Sequence, residues 1–376
     1  MPDLADVVVV GGGMIGACCA YEVRRLGFSV TLLERGEVGG GTASASGGGV
    51  LCHTKSLSLL VRLTQKSMAL FEALREDAGV PYEVSGSYVP YRTEAEAAFV
   101  RERVDWLARE GVRVETLDGP AVRERQPYLT PDVLGASFAP DDATVPPRDA
   151  CRAVASAAAR RGAAVRPHTE VRGFEVVGGR VRGVVTSDGV VGCEHAVLAA
   201  GPWTPPLAAG AGVDVPLRFE KGEMLLTSPV PYKVGGRVLA PAVLAAKFAA
   251  NLPDGHFSVG LAIGQDPDRA LRLGATRVRC GFDLTPTPRA REALLEEFGR
   301  FFPTLPPPPV VAQTVGLRPV GPHKRPIIAR PPHPEGLILA CAHGGDGIAL
   351  APVTGWLVAQ MIAGIATGFE ESLGLS

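Results

Sequence analysis

Three groups of residues in this 376-residue chain have the types and spacing to do chemistry. The first is Gly11-Gly12-Gly13-Met14-Ile15-Gly16, placed directly after the apolar run Val7-Val8-Val9-Val10 and before a helical stretch. Gly11 permits a tight turn out of a strand, Gly13 lets backbone approach a pyrophosphate, and Gly16 lets a helix pack close to that strand. The phosphates then meet the positive end of the helix. A second strand, Val30-Thr31-Leu32-Leu33, ends on Glu34, whose carboxylate can accept both hydroxyls of an adenosine ribose. Glycines, strands and acidic terminus together predict a cofactor that contains ADP. The second group is Arg318, inside Gly316-Leu317-Arg318-Pro319; a guanidinium can fork onto a carboxylate through two parallel hydrogen bonds. The third is His343, directly before a second glycine loop, Gly344-Gly345-Asp346-Gly347-Ile348. His53 and Lys55 follow another glycine- and serine-rich stretch and are further candidates for contact with a substrate.

The elements that must carry these groups can be read from hydrophobic spacing. Ala17, Ala20, Val23 and Leu26 mark a helix over about 15–26, closed by Gly27. Residues 58–78 read as an amphipathic helix, 94–110 as a charged helix, 148–161 as an alanine-rich helix and 288–301 as another. Strands are expected at 87–91, 174–177, 181–186 and 195–201, with Gly178-Gly179 as a hairpin turn. Leu305-Pro306-Pro307-Pro308-Pro309 reads as a stiff connector. Glu220, Lys221 and Glu223 read as a solvated or domain-bridging strand edge, and Tyr88 and Tyr91 as core.

Composition narrows the class. A net charge of −1 gives no electrostatic case for nucleic acid. Seven cysteines without a Cys-x-x-Cys pair argue for reduced, buried thiols in the cytoplasm and against a metal site. The segment before the first strand is too short for a signal peptide. The apolar stretch 355–368 is shorter than the ~20 residues of a membrane span and reads as a buried or membrane-contacting helix. Localisation in the cytoplasm is expected, with or without membrane association.

Read in order, the N-terminal glycines, Thr42-Ala43-Ser44-Ala45-Ser46, Val197-Leu198-Ala199-Ala200-Gly201-Pro202-Trp203-Thr204, Gly316-Leu317-Arg318-Pro319 and His343-Gly344-Gly345-Asp346-Gly347-Ile348-Ala349-Leu350-Ala351-Pro352-Val353-Thr354-Gly355 resemble the D-amino acid oxidase superfamily of FAD-dependent oxidoreductases. Within it, the last phrase and His53-Thr54-Lys55 are similar to the FAD subunits of proline and D-hydroxyproline dehydrogenases. The resemblance implies an α/β fold: a Rossmann-like FAD-binding domain with an interleaved α+β substrate domain on a mixed, largely antiparallel sheet. The cofactor domain would comprise 1–85, 141–215 and 310–376, and the substrate domain 86–140 and 216–309.

It also implies FAD held without a covalent bond, because Thr314-Val315 stands where sarcosine oxidases carry the linking cysteine. Gly11, Gly13, Met14, Ile15, Gly16, Glu34 and Arg35 would hold the ADP half. Thr42, Ala43, Ser44, Ser46 and Gly47 would follow pyrophosphate and ribitol, and Val171 would meet adenine. Ala200, Gly201 and Trp203 would pass near the cofactor. Gly344, Gly345, Asp346, Gly347 and Ile348 would turn backbone N–H groups to the flavin. Arg318 and His343 become the catalytic candidates, and Arg318, His53 and Lys55 the substrate-binding ones. The implied reaction is oxidation of the C–N bond of a small amino acid. Oxygen or an electron-accepting partner subunit would take the electrons; the strand 256–260 lacks the lysine that sarcosine oxidases use on oxygen. A 2-hydroxy acid dehydrogenase and a flavoprotein subunit that only passes electrons on are the alternatives, and homo- or hetero-oligomerisation is open.

Overall fold

A computed structural model describes residues 4–249, 253–369 and 372–375. The valine run of the fingerprint lies in strand Leu4–Val10, whose Val7, Val8 and Val9 have no solvent exposure. Such continuous burial is what a strand covered on both faces requires. It pairs in parallel with Val30–Leu33 on one side and with Gly189–Leu198 on the other. Ala164–Arg166 extends the sheet beyond Val30–Leu33. The long strand Gly189–Leu198 divides its far edge. Its first half pairs with Arg180–Thr186 and its last residues pair in parallel with Leu337–Cys341. Val171–Val177 and Arg180–Thr186 form the expected hairpin, with positive φ at Gly178 and Gly179.

The second eight-stranded sheet runs in the order Val310–Val320, Arg218–Pro229, Ala270–Arg279, Phe257–Gln265, Arg237–Leu239, Ser87–Tyr91, Gly135–Ala139, Glu115–Asp118. All neighbours are antiparallel except Arg237–Leu239 beside Ser87–Tyr91. Two differences from the sequence reading arise here. Residues 310–320, grouped above with the cofactor segments, form an edge strand of this second sheet; the chain rejoins the first sheet only at Ile327–Ala329. Lys221 and Glu223 are not at a solvated edge. Their strand is interior, flanked by Val310–Val320 and Ala270–Arg279, and both are buried. Lys221 Nζ donates to Asp283 at 2.8 Å and to the Thr285 carbonyl. Glu223 accepts from Thr287 N–H, Thr287 hydroxyl and Gln313 at 2.7–2.8 Å. Together they fasten the loop that leads into helix Pro288–Phe301, so their polarity is satisfied from inside.

Helix Met14–Arg25 is sandwiched between the first sheet and two other helices, Pro147–Arg160 and Gly347–Ile362. The approach to the last helix is close because Gly355 stands where a Cβ would overlap the Cys18 carbonyl. The first part of the apolar stretch 355–368 is thus spent on a buried helix crossing, whereas residues 363–366 lie beyond the helix and are exposed. Among the described residues no helix is long and apolar enough to cross a membrane. All seven cysteines are free thiols; six are buried as expected, whereas Cys280 is exposed.

Candidate active site

The three groups of chemically capable residues converge on one cavity of about 650 Å³ that runs between the two sheets. At its first end the turn after Leu4–Val10 has Gly11 at φ 104°, a conformation that favours glycine. A Cβ on Gly16 would overlap the Gly11 carbonyl. Gly16 therefore does not line the cavity; it brings the helix against the strand, as the fingerprint requires. Gly13 differs. Its Cβ position has nothing within 4 Å and its φ is an ordinary −71°, so its missing side chain is open space on the cavity wall. No side chain caps the helix that starts there and no acidic residue lies in its first turn, which leaves its N–H groups for an anion.

Glu34 accepts from Gly12 N–H at 2.7 Å and from Gly36 N–H at 2.9 Å, one bond on each carboxylate oxygen. Each oxygen retains acceptor capacity, and Glu34 lines the cavity together with Arg35 and Val171. Arg35 stacks on Trp203, its Cζ 3.8 Å from the ring centroid. Met14, Ile15, Thr42, Ala43, Ser46, Gly47, Ala200 and Gly201 continue the wall. Ser44 does not. Its hydroxyl donates to the Gly40 and Gly41 carbonyls at 3.1 and 2.8 Å, so the turn consumes it locally.

The far end is built by the last glycine loop. Gly344 (φ 55°) turns the chain, and Gly344, Gly345, Asp346, Gly347 and Ile348 all line the cavity at the start of helix Gly347–Ile362. Asp346 contributes more than its backbone. Its Oδ1 receives Lys55 Nζ at 2.5 Å and Lys247 Nζ at 2.9 Å. Burial works against ionisation of Asp346, but Lys247 and Lys55 outweigh it and hold the carboxyl well below the usual carboxylate range. Lys247 is lowered by burial to about 8, with Asp346 opposing the shift.

Arg318 lies on this same wall, against Gly345 and Gly222. Its Nη1 donates to the Thr276 carbonyl at 3.1 Å and to the Lys221 carbonyl at 3.4 Å, and among the described residues no carboxylate pairs with it. Burial lowers it to about 10, which leaves it cationic at neutral pH. His343 also lines the cavity. Its Nε2 is 2.9 Å from Thr354 Oγ1, which itself donates to the Leu350 carbonyl. The threonine oxygen must then accept, which places the imidazole hydrogen on Nε2. Burial pushes His343 down to about 4, so the ring is neutral.

His53 is a correction. It is fully buried and off the cavity wall. Nδ1 bonds Ser87 at 2.8 Å and Nε2 bonds Ser137 at 2.7 Å, while Ser87 donates to Asp142. Both ring nitrogens are spent and burial drives the group to about 3, so it cannot reach a substrate. Its neighbour Lys55, two residues on, does reach the wall. Tyr88 and Tyr91 are buried core, as expected.

The sequence reading missed Lys247, Arg277 and Arg237, all on the wall. Arg277 pairs with Glu220. Arg237 threads between Gly47 and Gly264, donates to the Gly47 carbonyl at 2.5 Å, and has a buried Nε without a partner among the described residues. A signal existed for two of them. Lys247 is the lone charge in the helix Pro241–Phe248, and Arg237 opens the otherwise apolar strand Arg237–Leu239.

This donor set fits an extended dinucleotide: an anion-ready helix start with an open glycine, a carboxylate at one end, and a second helix start at the other. Comparison with known proteins agrees. The family described as DAO, FAD dependent oxidoreductase, matches residues 6–361. Glycine oxidase of Pseudomonas putida is 32% identical over 371 residues, spanning 96% of this chain and 94% of that protein. The crystal structure of glycine oxidase from Geobacillus kaustophilus superposes with a TM-score of 0.88 at 28% identity, covering 100% of this chain and 99% of that one. L-proline dehydrogenase from P. horikoshii shares the fold, with a TM-score of 0.88 at 24% identity and coverage of 100% and 98%. The chain belongs to the FAD-dependent oxidoreductases of this family, and FAD is its cofactor.

Proposed function

We propose that the protein oxidises the C–N bond of a small amino acid, and that the cavity holds FAD with its ADP half at Gly11–Ile15, Glu34 and Arg35 and its flavin at Gly344–Ile348. FAD, when bound, accepts the hydride that leaves the α-carbon. The chain supplies position and charge. Arg318 binds the α-carboxylate and fixes the α-carbon. His343, neutral and with its hydrogen on Nε2, keeps Nδ1 as an acceptor for the substrate amine. As the hydride leaves carbon and a proton leaves nitrogen, the C–N single bond becomes the double bond of an imine, which water hydrolyses to an oxo acid and ammonia or an amine, or which stays cyclic when the substrate is.

The observation that carries this reading is Arg318: a half-buried guanidinium on the cavity wall whose partners among the described residues are carbonyl oxygens. A cation partly withdrawn from water with no anion beside it is unfavourable, and a substrate carboxylate supplies one. The test is anaerobic bleaching of the bound flavin by amino acids. Arg318→Ala is expected to keep FAD and lose bleaching; unchanged reduction kinetics would remove Arg318 from the site. The electron acceptor is oxygen or a partner subunit, and reoxidation rates under air and with an artificial acceptor distinguish the two.

A further inference from the structure

The wall around Arg318 carries more positive charge than one carboxylate can answer. Four cations gather there: Lys55, Lys247, Arg277 and Arg318. Among the described residues, two carboxylates meet them. Glu220 pairs with Arg277. Asp346 serves both lysines, and through a single oxygen, Oδ1. Arg318 has carbonyl partners only. The site therefore holds two cations in excess, Arg318 and one lysine. Arg237 is a further buried cation, but it lies in the Gly47–Gly49 turn, on the stretch of wall assigned above to FAD.

The two lysines are not equivalent. Lys55 is sealed, its side chain 1% exposed, whereas that of Lys247 is 19% exposed. Lys247 also reaches Thr54 Oγ1 at 3.3 Å. Lys55 can keep Asp346 alone while Lys247 turns to a ligand. The backbone of Lys247 is held for this. Lys324 Nζ donates to the carbonyls of Lys247, Phe248 and Ala249 at 3.1, 3.3 and 2.6 Å, which ties down the C-terminal end of helix Pro241–Phe248. Lys55 and Arg318 act on Lys247 as like charges and Asp346 as the opposing one. An added anion would relieve the repulsion.

We infer that the substrate is an amino acid with a second carboxylate, whose α-carboxylate binds Arg318 and whose other carboxylate binds Lys247. This rests on the reading of Arg318 given under Proposed function. Two half-buried cations that share too few anions are unfavourable, and a dianionic ligand answers both. A monocarboxylic amino acid answers one. Lys247 is thus a specificity-determining residue in a reaction that it does not itself perform.

The experiment uses the FAD-loaded enzyme under anaerobic conditions. Flavin bleaching is followed with glycine, sarcosine, and both enantiomers of alanine and proline. The dicarboxylic set is both enantiomers of aspartate and glutamate, with iminodiacetate. Binding of malonate and succinate against acetate and propionate is read separately from the shift of the flavin spectrum, which needs no turnover. The best dicarboxylic substrate is expected to exceed its monocarboxylic counterpart at least tenfold in reduction rate over dissociation constant. Lys247→Met should cut that ratio, and the malonate-to-acetate affinity ratio, at least tenfold. Lys247→Arg should largely preserve both ratios. Flavin content checks each variant for folding, and Lys247→Gln replaces the methionine variant if that one fails to fold. A wild-type preference for monocarboxylic substrates would overturn the proposal. So would a Lys247→Met enzyme that loses both classes by the same factor, since Lys247 would then serve the reaction in general. If dithionite bleaches the flavin but no amino acid of either class does, the amino acid reading itself falls.

Discussion

The guanidinium of Arg318 occupies the space that a side chain on Gly222 would take: a Cβ there would overlap its Nη1, Nη2 and Cζ. Gly222 stands in the neighbouring strand, opposite Gly316, two residues before Arg318. Gly222 clears a notch in the sheet and the arginine lies in it, while Gly316 admits Ala45 and Thr42 of the glycine- and serine-rich turn. Gly222→Ala should therefore displace Arg318 without touching the cofactor end. Loss of a hydrogen-bonded contact to a charged group is worth about 1.5–3 kcal/mol, so amino acid affinity should fall about 10- to 100-fold while flavin content holds. Titration of flavin bleaching measures it; wild-type affinity would show that the guanidinium finds its place by another route.

The fingerprint glycines should separate into two kinds. Gly13 faces open space with an ordinary backbone conformation, so Gly13→Val fills the cradle and leaves the fold. Gly16 is pressed on the Gly11 carbonyl, so Gly16→Val forces helix and strand apart, an overpacking cost of about 1–3 kcal/mol. The first variant should purify colourless with an apo-protein melting temperature near wild type. The second should lower that temperature. Equal melting temperatures for the two apo-proteins would refute the distinction.

Asp346→Asn leaves Lys55 and Lys247 without their shared carboxylate. Removal of one partner of a buried ion pair costs about 3–5 kcal/mol, and Lys55 has little access to water. The denaturant midpoint should fall accordingly. Asp346→Asn combined with Lys55→Met should recover part of the loss, because the sealed charge goes with its partner.

His53 should leave a mark on the pH dependence of stability. Burial lowers it from 6.5 to about 3 in the folded chain. Between those values the unfolded chain binds the extra proton, so stability rises with pH and is lost as pH falls below about 6.5. His343, lowered to about 4, acts in the same direction. Asp142, raised by burial to about 6, acts in the opposite direction between 3.8 and 6. His53→Asn should make the fall in stability between pH 6.5 and 4 shallower by about one proton, or about 1.4 kcal/mol per pH unit. Denaturant midpoints across that range check it; an unchanged slope would mean that His53 stays exposed to protonation in the folded state.

What was legible in the sequence was what is local in the chain. Gly11, Gly13, Glu34 and the loop after His343 reach the cavity wall from short contiguous stretches, where a turn, a helix start and a strand end follow from residue type. Arg318 was legible because its neighbours form a compact phrase. Lys247, Arg277 and Arg237 were not, because the second sheet brings Arg277 and Arg237 to the wall through pairings between distant strands, and Lys247 comes with a helix packed on that sheet. Lys221 and Glu223 misled for the same reason: the groups that satisfy them come from a loop some sixty residues later. His53 and Ser44 misled differently. Each sits beside residues that do line the cavity, but local or cross-strand partners take up its hydrogen bonds first.

The cavity closes at one end on the turn after the first strand and at the other on the start of the last helix. A nascent chain therefore exposes its glycine fingerprint long before the loop that completes the pocket has been synthesised. A pocket with both ends exists only once residues 344–348 have been made. Because a ligand bound only by the folded form favours that form, FAD supply then acts on how much of the newly made protein survives, and not on the order in which its parts take shape.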